Sequence, residues 1–111
     1  MGKIFRSRVG GRQVSTFHMI NTHSIEDDWR ARGFSCDLWT DPPGQVWKDY
    51  VHEMDELFMV VDGEVRLEMD GRKLDLKMGD EILIPAKTLH TVRNIGKTRS
   101  HWLYGYRSSK T

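Results

Sequence analysis

Short runs of alternating apolar and polar residues occupy most of the chain, with turn residues between them. From position 34 onward these runs are rich in β-branched and aromatic residues, and turn signals recur roughly every 6–12 residues. Asp70-Gly71, between VRLEM and KLDLKM, is typical of a tight β-hairpin. The pattern predicts about eight short strands and therefore an all-β sandwich or barrel.

One short N-terminal helix is predicted where the alternation stops, over residues 24–33. Ser24 is a suitable cap, acidic residues follow it, and Gly33 supplies the left-handed position after the helix. Ile25 and Trp29 are four residues apart, so they share one face.

A single domain is predicted for residues 1–111. The segments KIFRSRV and QVSTFHMI, on either side of Gly10-Gly11, predict edge strands, so that residues 1–43 contain N-terminal strands and the helix. No repeat, linker or low-complexity segment divides the chain. A chain of 111 residues is expected to bury roughly two-thirds of its unfolded surface, which is enough for one core.

Charge and cysteine content exclude several classes of protein. The net charge is +1 and the basic residues are scattered, which argues against a nucleic-acid-binding face. Cys36 is the only cysteine, so no intramolecular disulfide forms, and its apolar surroundings predict a buried, unreactive thiol. The N-terminus lacks a readable secretory signal, and no run approaches the roughly 20 apolar residues of a membrane span. We expect a soluble, cytoplasmic protein without nucleic-acid or membrane partners.

The stretch DYVHEMDE raises the question of a metal site. His52 and Glu56 are four residues apart, and on one straight strand their backbones would be about 13 Å apart. Metal–ligand bonds of about 2.0–2.2 Å require much closer side-chain tips, so EMD is predicted to form a corner. The alternation in QVWKDYVH places Tyr50 on the same face as His52, and Trp47 on the opposite face.

A second cluster lies in GDEILIPAKTLHTVRN. Gly79-Asp80 predicts a turn, and Pro85 ends an apolar strand. His90 and Asn94 then share one face of the following strand. This strand is therefore predicted to deliver a further imidazole into the barrel.

These two clusters resemble the two sequence motifs of the cupin superfamily. The first motif, G-x5-H-x-H-x3–4-E-x6-G, fits residues 44–63 with every spacing kept and Tyr50 at the first histidine. The second, G-x5-P-x-G-x2-H-x3-N, fits residues 79–94 with Lys87 at the middle glycine. The resemblance is to small single-domain members (cupin 2, conserved β-barrel). It implies a double-stranded β-helix, or jelly-roll barrel.

The resemblance implies that His52, Glu56 and His90 bind one divalent transition metal, such as iron, manganese, zinc or nickel. Three protein ligands leave positions for water or substrate. Tyr50 is either a direct ligand, a hydrogen-bonding partner of bound water or substrate, or a packing residue. Asp55 is an alternative carboxylate ligand. Tyr50 and Glu56 are the candidate catalytic residues.

Two functions remain open at this point. The first is a metal-dependent enzyme, of dioxygenase or isomerase type, acting on a small oxygen-rich or cyclic substrate. The alternative is a non-catalytic small-ligand-binding module or sensor. Fold alone does not decide between them, because one fold supports many activities. The resemblance also implies a homodimer.

Several other positions carry specific predictions. Lys87 replaces a turn glycine and therefore needs a backbone conformation that a lysine tolerates. Trp39 and Trp47 are predicted to face outward and are candidates for a dimer surface. Trp102, Tyr104 and Tyr106 share one face of the last strand and either pack or line a pocket. The predicted core residues are Phe58, Val60, Leu67, Met69, Leu74, Leu76, Met78, Ile82 and Ile84.

Overall fold

The structure, a computed structural model, describes residues 20–108. Its elements are α1 (Thr22–Ala31), β1 (Asp37–Asp41), β2 (Val46–Tyr50), β3 (Glu56–Asp62), β4 (Val65–Met69), β5 (Arg72–Leu76), β6 (Glu81–Ile84), β7 (His90–Asn94) and β8 (Ser100–Tyr106). The predicted strand KIFRSRV lies outside the described residues, as does most of QVSTFHMI. Within the described part, no helix has the length and apolar character needed to cross a membrane.

The eight strands form two four-stranded antiparallel sheets that face each other. The first sheet has the order β1-β8-β3-β6 and the second β2-β7-β4-β5. Asp70 and Gly71 both have positive φ, 53° and 72°, and they close the predicted hairpin between β4 and β5. The predicted all-β barrel with one short helix is confirmed.

The main core lies between the two sheets and includes eight of the nine residues predicted for it; Met78 is not part of it. Six of the nine predicted residues are buried, and Leu74, Met78 and Ile82 are half-buried. The buried members of this core are Phe58, Val60, Val65, Leu67, Met69, Leu76, Ile84, Val92 and Trp102. Because β3 alternates across the sheet, Glu56 points to the same interior as Phe58 and Val60.

A second core covers the outer face of the first sheet, where α1 packs. Its buried members are Trp29, Phe34, Cys36, Leu57, Met59 and Leu103. The Trp29 indole also donates a hydrogen bond to Glu81 at 2.9 Å. Burial raises the pKa of the Cys36 thiol to about 11, which agrees with the predicted unreactive cysteine. The central strand β3 is therefore buried on both faces.

The helix begins two residues earlier than predicted. Asn21 is its N-cap, and the Asn21 side chain accepts a hydrogen bond from the Ser24 backbone N–H at 3.1 Å. The prediction of Ser24 as the cap was wrong, because an asparagine in extended conformation precedes it and takes this role. Gly33 has φ of 90°, as predicted. The side chain of Trp29, on the inner face of the helix, is fully buried in the second core.

An irregularity in β2 overturns the predicted alternation of its side chains. The register with β7 shifts between Trp47 and Tyr50, and Asp49 adopts φ of 59°. The Asp49 backbone N–H donates to the Thr91 hydroxyl at 3.0 Å, which anchors the bulge. Trp47 consequently packs against the main core, so the prediction that it faces outward was wrong. Trp39 is 40% exposed, but it pairs with Trp102 and donates to buried Asp41, so it lies on the interior face and its predicted outward orientation was also wrong.

Lys87, at the position where the motif has a turn glycine, adopts a left-handed backbone with φ of 65°. This conformation costs a non-glycine residue roughly 1–2 kcal/mol, part of which a glycine recovers despite its greater freedom when unfolded. Lys87→Gly is therefore expected to stabilise the protein by up to about 1 kcal/mol in chemical denaturation.

The matched control is Lys97→Gly, at an exposed loop lysine that does not have positive φ. Lys97→Gly is expected to be less stable than wild type, because the glycine raises the conformational entropy of the unfolded chain and relieves no backbone strain in the folded protein. Equal losses in the two variants would contradict the assignment of strain to Lys87.

Candidate metal centre

The predicted corner between His52 and Glu56 is present. β2 ends at Tyr50 and β3 begins at Glu56, and the intervening residues leave the sheet. The Lys87 backbone N–H donates to the His52 carbonyl at 2.7 Å, which holds the corner against the loop before β7. This contact places the strained residue directly beside the candidate site.

The Asp55 carboxylate fixes the other end of this corner. It accepts hydrogen bonds from the Ala86 backbone N–H at 2.8 Å and from the Arg107 guanidinium at 3.1 Å. These hydrogen bonds hold the pKa of Asp55 below its ordinary value. Both carboxylate oxygens of Asp55 are therefore engaged in hydrogen bonds. Asp55 is not part of the group of converging ligand residues, so the structure does not favour it as an alternative ligand.

His52, Glu56 and His90 converge at the end of the main core. Glu56 Oε1 lies 3.4 Å from His52 Nε2 and 3.6 Å from His90 Nε2, and one ligand atom of each residue lies within 4.8 Å of the others. Ligands arranged tetrahedrally at about 2.0–2.2 Å from one metal are spaced by roughly 3.4 Å. The spacing of these donors therefore fits a single metal ion.

The burial of Glu56 provides a test of this fit that is independent of the distances. Its side chain is almost fully buried, and Oε1 has no hydrogen-bond partner among the described residues. Burial raises the pKa of the Glu56 carboxyl to about 7. An ionised carboxylate at this position is costly unless a cation compensates it. The donor set thus fits a divalent metal.

Both imidazoles present the donor atoms that a metal needs. His90 Nδ1 lies 2.9 Å from the Thr88 carbonyl, and donation of this N–H leaves the Nε2 lone pair directed toward Glu56. Burial, and then the neighbouring His90, lower the pKa of His52. The two rings have centroids 5.0 Å apart. Neutral imidazoles are the form that binds metals.

Two tyrosines border these ligands, and they differ in distance. Tyr50 is 44% exposed, and its ring centroid is 6.3 Å from that of His52. Tyr106 is closer, with its ring 4.9 Å from the His52 ring and its hydroxyl 3.4 Å from His52 Nε2. Burial, with a further contribution from Glu56, raises the pKa of Tyr106 to about 12. A catalytic role for Tyr50 stays a prediction.

The aromatic face of β8 is divided between the two roles that the sequence left open. Trp102 packs in the main core, with its ring centroid 4.6 Å from that of Phe58. Tyr106, at the end of the same face, borders the metal-ligand cluster. Alternation predicted that these residues share a face, but it did not indicate how far along the strand the site begins.

A buried carboxylate supports the wall of the barrel, and the sequence did not indicate it. Asp41 accepts hydrogen bonds from three indole N–H groups: Trp39 at 2.8 Å, Trp47 at 3.0 and 3.1 Å, and Trp102 at 3.2 Å. The Trp47 ring then contacts Tyr50, with centroids 6.0 Å apart. Asp41 thus connects β1 and β8 of the first sheet to β2 of the second through indole hydrogen bonds. One of these indoles, that of Trp47, contacts Tyr50 near the site.

Comparisons with known proteins agree with this architecture. A family model described as "Cupin domain" matches residues 37–106. An uncharacterized protein of Methanocaldococcus jannaschii is 39% identical over 49 residues, which span 44% of this chain and 38% of that curated relative. The matched part of the chain thus spans well under half the length of this relative.

Solved structures share the fold at low sequence identity. A cupin superfamily protein from Desulfitobacterium hafniense aligns over 68% of each chain, with 24% identity and a TM-score of 0.62. An oxalate oxidase in complex with the substrate analogue glycolate aligns over 71% of this chain and 44% of its own, with 23% identity and a TM-score of 0.64. With the family model covering more than half of the sequence, the chain belongs to the cupin domain family.

Proposed function

We propose that this cupin binds one divalent transition metal through His52, Glu56 and His90, and that it is an enzyme acting on a small oxygen-containing substrate. The observation that carries the proposal is the buried Glu56 Oε1, which has no hydrogen-bond partner among the described residues and faces two imidazole nitrogens. Nitrogen and carboxylate donors of this kind suit iron, manganese, zinc and nickel.

The three ligands come from different parts of the fold. Glu56 lies on β3 of the first sheet, His90 lies on β7 of the second, and His52 lies in the corner between strands. When bound, the metal supplies a Lewis acid with coordination positions left open by the protein. The imidazole of His52 is about one-quarter exposed, which leaves this side of the site accessible to a small molecule.

The likeness to an oxalate oxidase supports an oxygen-rich substrate as the first class to test. The dioxygenase-type and isomerase-type reactions expected from the sequence remain within this proposal. In either case the buried Glu56 and His90 hold the metal, and the partly exposed His52 lies on the side that substrate approaches.

Metal binding is tested by elemental analysis of tag-free protein and by thermal unfolding with added Mn²⁺, Fe²⁺, Ni²⁺ or Zn²⁺. About one metal per chain is expected, and a metal at 100 times its Kd stabilises the folded state by about 2.7 kcal/mol. His52→Ala and His90→Ala are expected to lose this response.

The matched control is His101→Ala, because His101 contacts the Thr40 hydroxyl on β1 and is not part of the converging cluster. It is expected to retain the metal response. A wild-type protein that neither contains nor responds to metal would overturn the proposal.

The enzymatic part is tested separately on metal-loaded protein. Turnover is measured against a panel of small diols, hydroxy acids, keto acids and catechols, with oxygen consumption and product analysis as readouts. Activity that disappears in Glu56→Gln would support an enzyme. Stoichiometric metal binding without turnover of any member would instead favour the non-catalytic small-ligand-binding or sensor function.

A further inference from the structure

We propose that Tyr106, rather than Tyr50, positions the exogenous oxygen ligand of the metal centre, by donating a hydrogen bond from its hydroxyl. This inference rests on the proposed metal site and adds the residue that determines which ligands bind there. Two observations carry it: the place of the Tyr106 hydroxyl beside His52 Nε2, and the backbone contacts that fix β8 against the ligand-bearing corner.

The hydroxyl of Tyr106 lies at the edge of the ligand cluster, beside His52. It is 3.4 Å from His52 Nε2, the same distance that separates this nitrogen from Glu56 Oε1. No other hydrogen-bond partner of this hydroxyl is found among residues 20–108. A metal held by His52 Nε2 would use that lone pair, and the phenol O–H would then be available to another acceptor.

Backbone contacts on both sides of Tyr106 hold it in this place. Its Cα is the register partner of Glu56 across β8 and β3. The Tyr106 N–H donates to the Ser35 hydroxyl at 3.0 Å, and its carbonyl accepts from the Ser35 N–H at 3.0 Å. The next residue, Arg107, donates from its N–H to the Asp55 carbonyl at 2.9 Å.

Tyr50 is also a register partner of a candidate ligand, His90 across β2 and β7, but its ring lies farther from the ligand cluster. Tyr50 follows the bulge in β2, is 44% exposed, and its ring centroid lies 1.4 Å farther from the His52 ring than that of Tyr106 (6.3 against 4.9 Å). An exposed hydroxyl is solvated and gains little from a new acceptor, whereas a half-buried one gains a partner that water supplies poorly. The hydrogen bond to a bound oxygen atom is therefore assigned to Tyr106.

The ligand class that follows is a small molecule with anionic oxygen, such as a carboxylate or catecholate. The imidazoles bind as neutral groups, and Glu56 supplies one negative charge against the two positive charges of the metal. One unit of positive charge therefore remains. A donor O–H beside the open position favours an oxygen acceptor over an apolar group, because charge-assisted hydrogen bonds are the stronger ones.

The test uses zinc-loaded protein, because zinc has no redox chemistry and reports binding alone. Nitrocatechol is titrated into wild type, Tyr106→Phe and Tyr50→Phe, with its visible absorbance as the readout. Zinc affinity is measured in parallel by competition with a chelator. Tyr106→Phe is expected to bind nitrocatechol about 10-fold more weakly or worse. The zinc affinity of Tyr106→Phe is expected to stay within about twofold of wild type, and its thermal midpoint within a few degrees. Tyr50→Phe is expected to keep both its nitrocatechol affinity and its zinc affinity within about twofold of wild type.

Several outcomes overturn the inference. It fails if Tyr106→Phe binds nitrocatechol as tightly as wild type, or if Tyr50→Phe loses as much affinity. A large loss of zinc affinity in Tyr106→Phe also contradicts it, since the phenol would then be a ligand. Zinc-loaded wild type that does not bind nitrocatechol refutes the open oxygen-binding position, whereas wild type that does not bind zinc refutes the proposed function itself.

Discussion

In metal-free protein, Glu56→Gln is expected to remove a large pH dependence of stability and, at the same time, the response to divalent metal. The folded-state pKa of Glu56 is raised to about 7 from its ordinary value of 4.5 by burial. Between these values the folded protein binds the proton and the unfolded chain does not, so the free energy of unfolding falls as pH rises. The difference between the two pKa values corresponds to about 3 kcal/mol.

The measurement is urea denaturation of wild type and variant, in chelator, from about pH 4.5 to about pH 8. The free energy of unfolding of Glu56→Gln minus that of wild type is expected to increase by about 3 kcal/mol from the low to the high end of this pH range. Glu53→Gln, at an exposed position in the same corner, is the control and is expected to follow wild type. If the free energies of unfolding of wild type and Glu56→Gln changed with pH in parallel, the pKa of Glu56 would not be raised in the folded protein.

Added metal is expected to reverse this pattern in wild type. Binding requires the ionised carboxylate and neutral imidazoles, so apparent metal affinity rises with pH through the neutral range. The same carboxylate that destabilises the metal-free protein above pH 7 then stabilises the metal-bound one. Glu56→Gln is expected to lose at least 10-fold in affinity, because a neutral amide replaces the anionic ligand.

Asp41→Ala is expected to destabilise the fold by about 3 kcal/mol or more, although Asp41 is not a candidate ligand. Asp41 is 2% exposed and accepts hydrogen bonds from three indoles. Its removal leaves the buried N–H of Trp102 and the half-buried N–H of Trp47 without acceptors, and each such loss costs about 1–3 kcal/mol. Chemical denaturation followed by tryptophan fluorescence measures this loss.

The control for Asp41 lies at the other end of the same strand. Asp37→Ala removes an exposed carboxylate from β1 and is expected to change stability by less than about 0.5 kcal/mol. Asp41→Asn keeps one acceptor oxygen and is expected to fall between the two. If Asp41→Ala were no more destabilising than Asp37→Ala, the three indole contacts would not contribute to stability.

Local spacing and the resemblance to the two cupin motifs together predicted the ligand cluster. Strand geometry alone excluded a straight strand between His52 and Glu56, and the motif order placed His90 opposite them; the three residues do converge. The corner followed from parity within one strand and from short turns, whereas the inclusion of His90 in the ligand set followed from the resemblance. That the three bind metal stays a prediction, as do the homodimer and the cytoplasmic location.

Alternation failed where the backbone departs from a regular strand. The left-handed conformation of Asp49 shifts the register of β2, and a non-glycine residue gives no local signal for it. The outer core beneath α1 did leave a signal: LFMVV is a continuous apolar run, typical of a strand buried on both faces. The Asp41 cluster had none, because Trp102 is distant in sequence and meets Asp41 only after the sheets assemble.

The placement of Glu56 and His90 in different sheets has a mechanical consequence. The two residues belong to β3 and β7, which share no backbone ladder. An ion bound by both residues would cross-link the two sheets, so that the sheets could separate at this end only after the ion is released. Amide hydrogens at the start of β3 and of β7 should then gain protection from solvent exchange together, to the same extent, when metal is added.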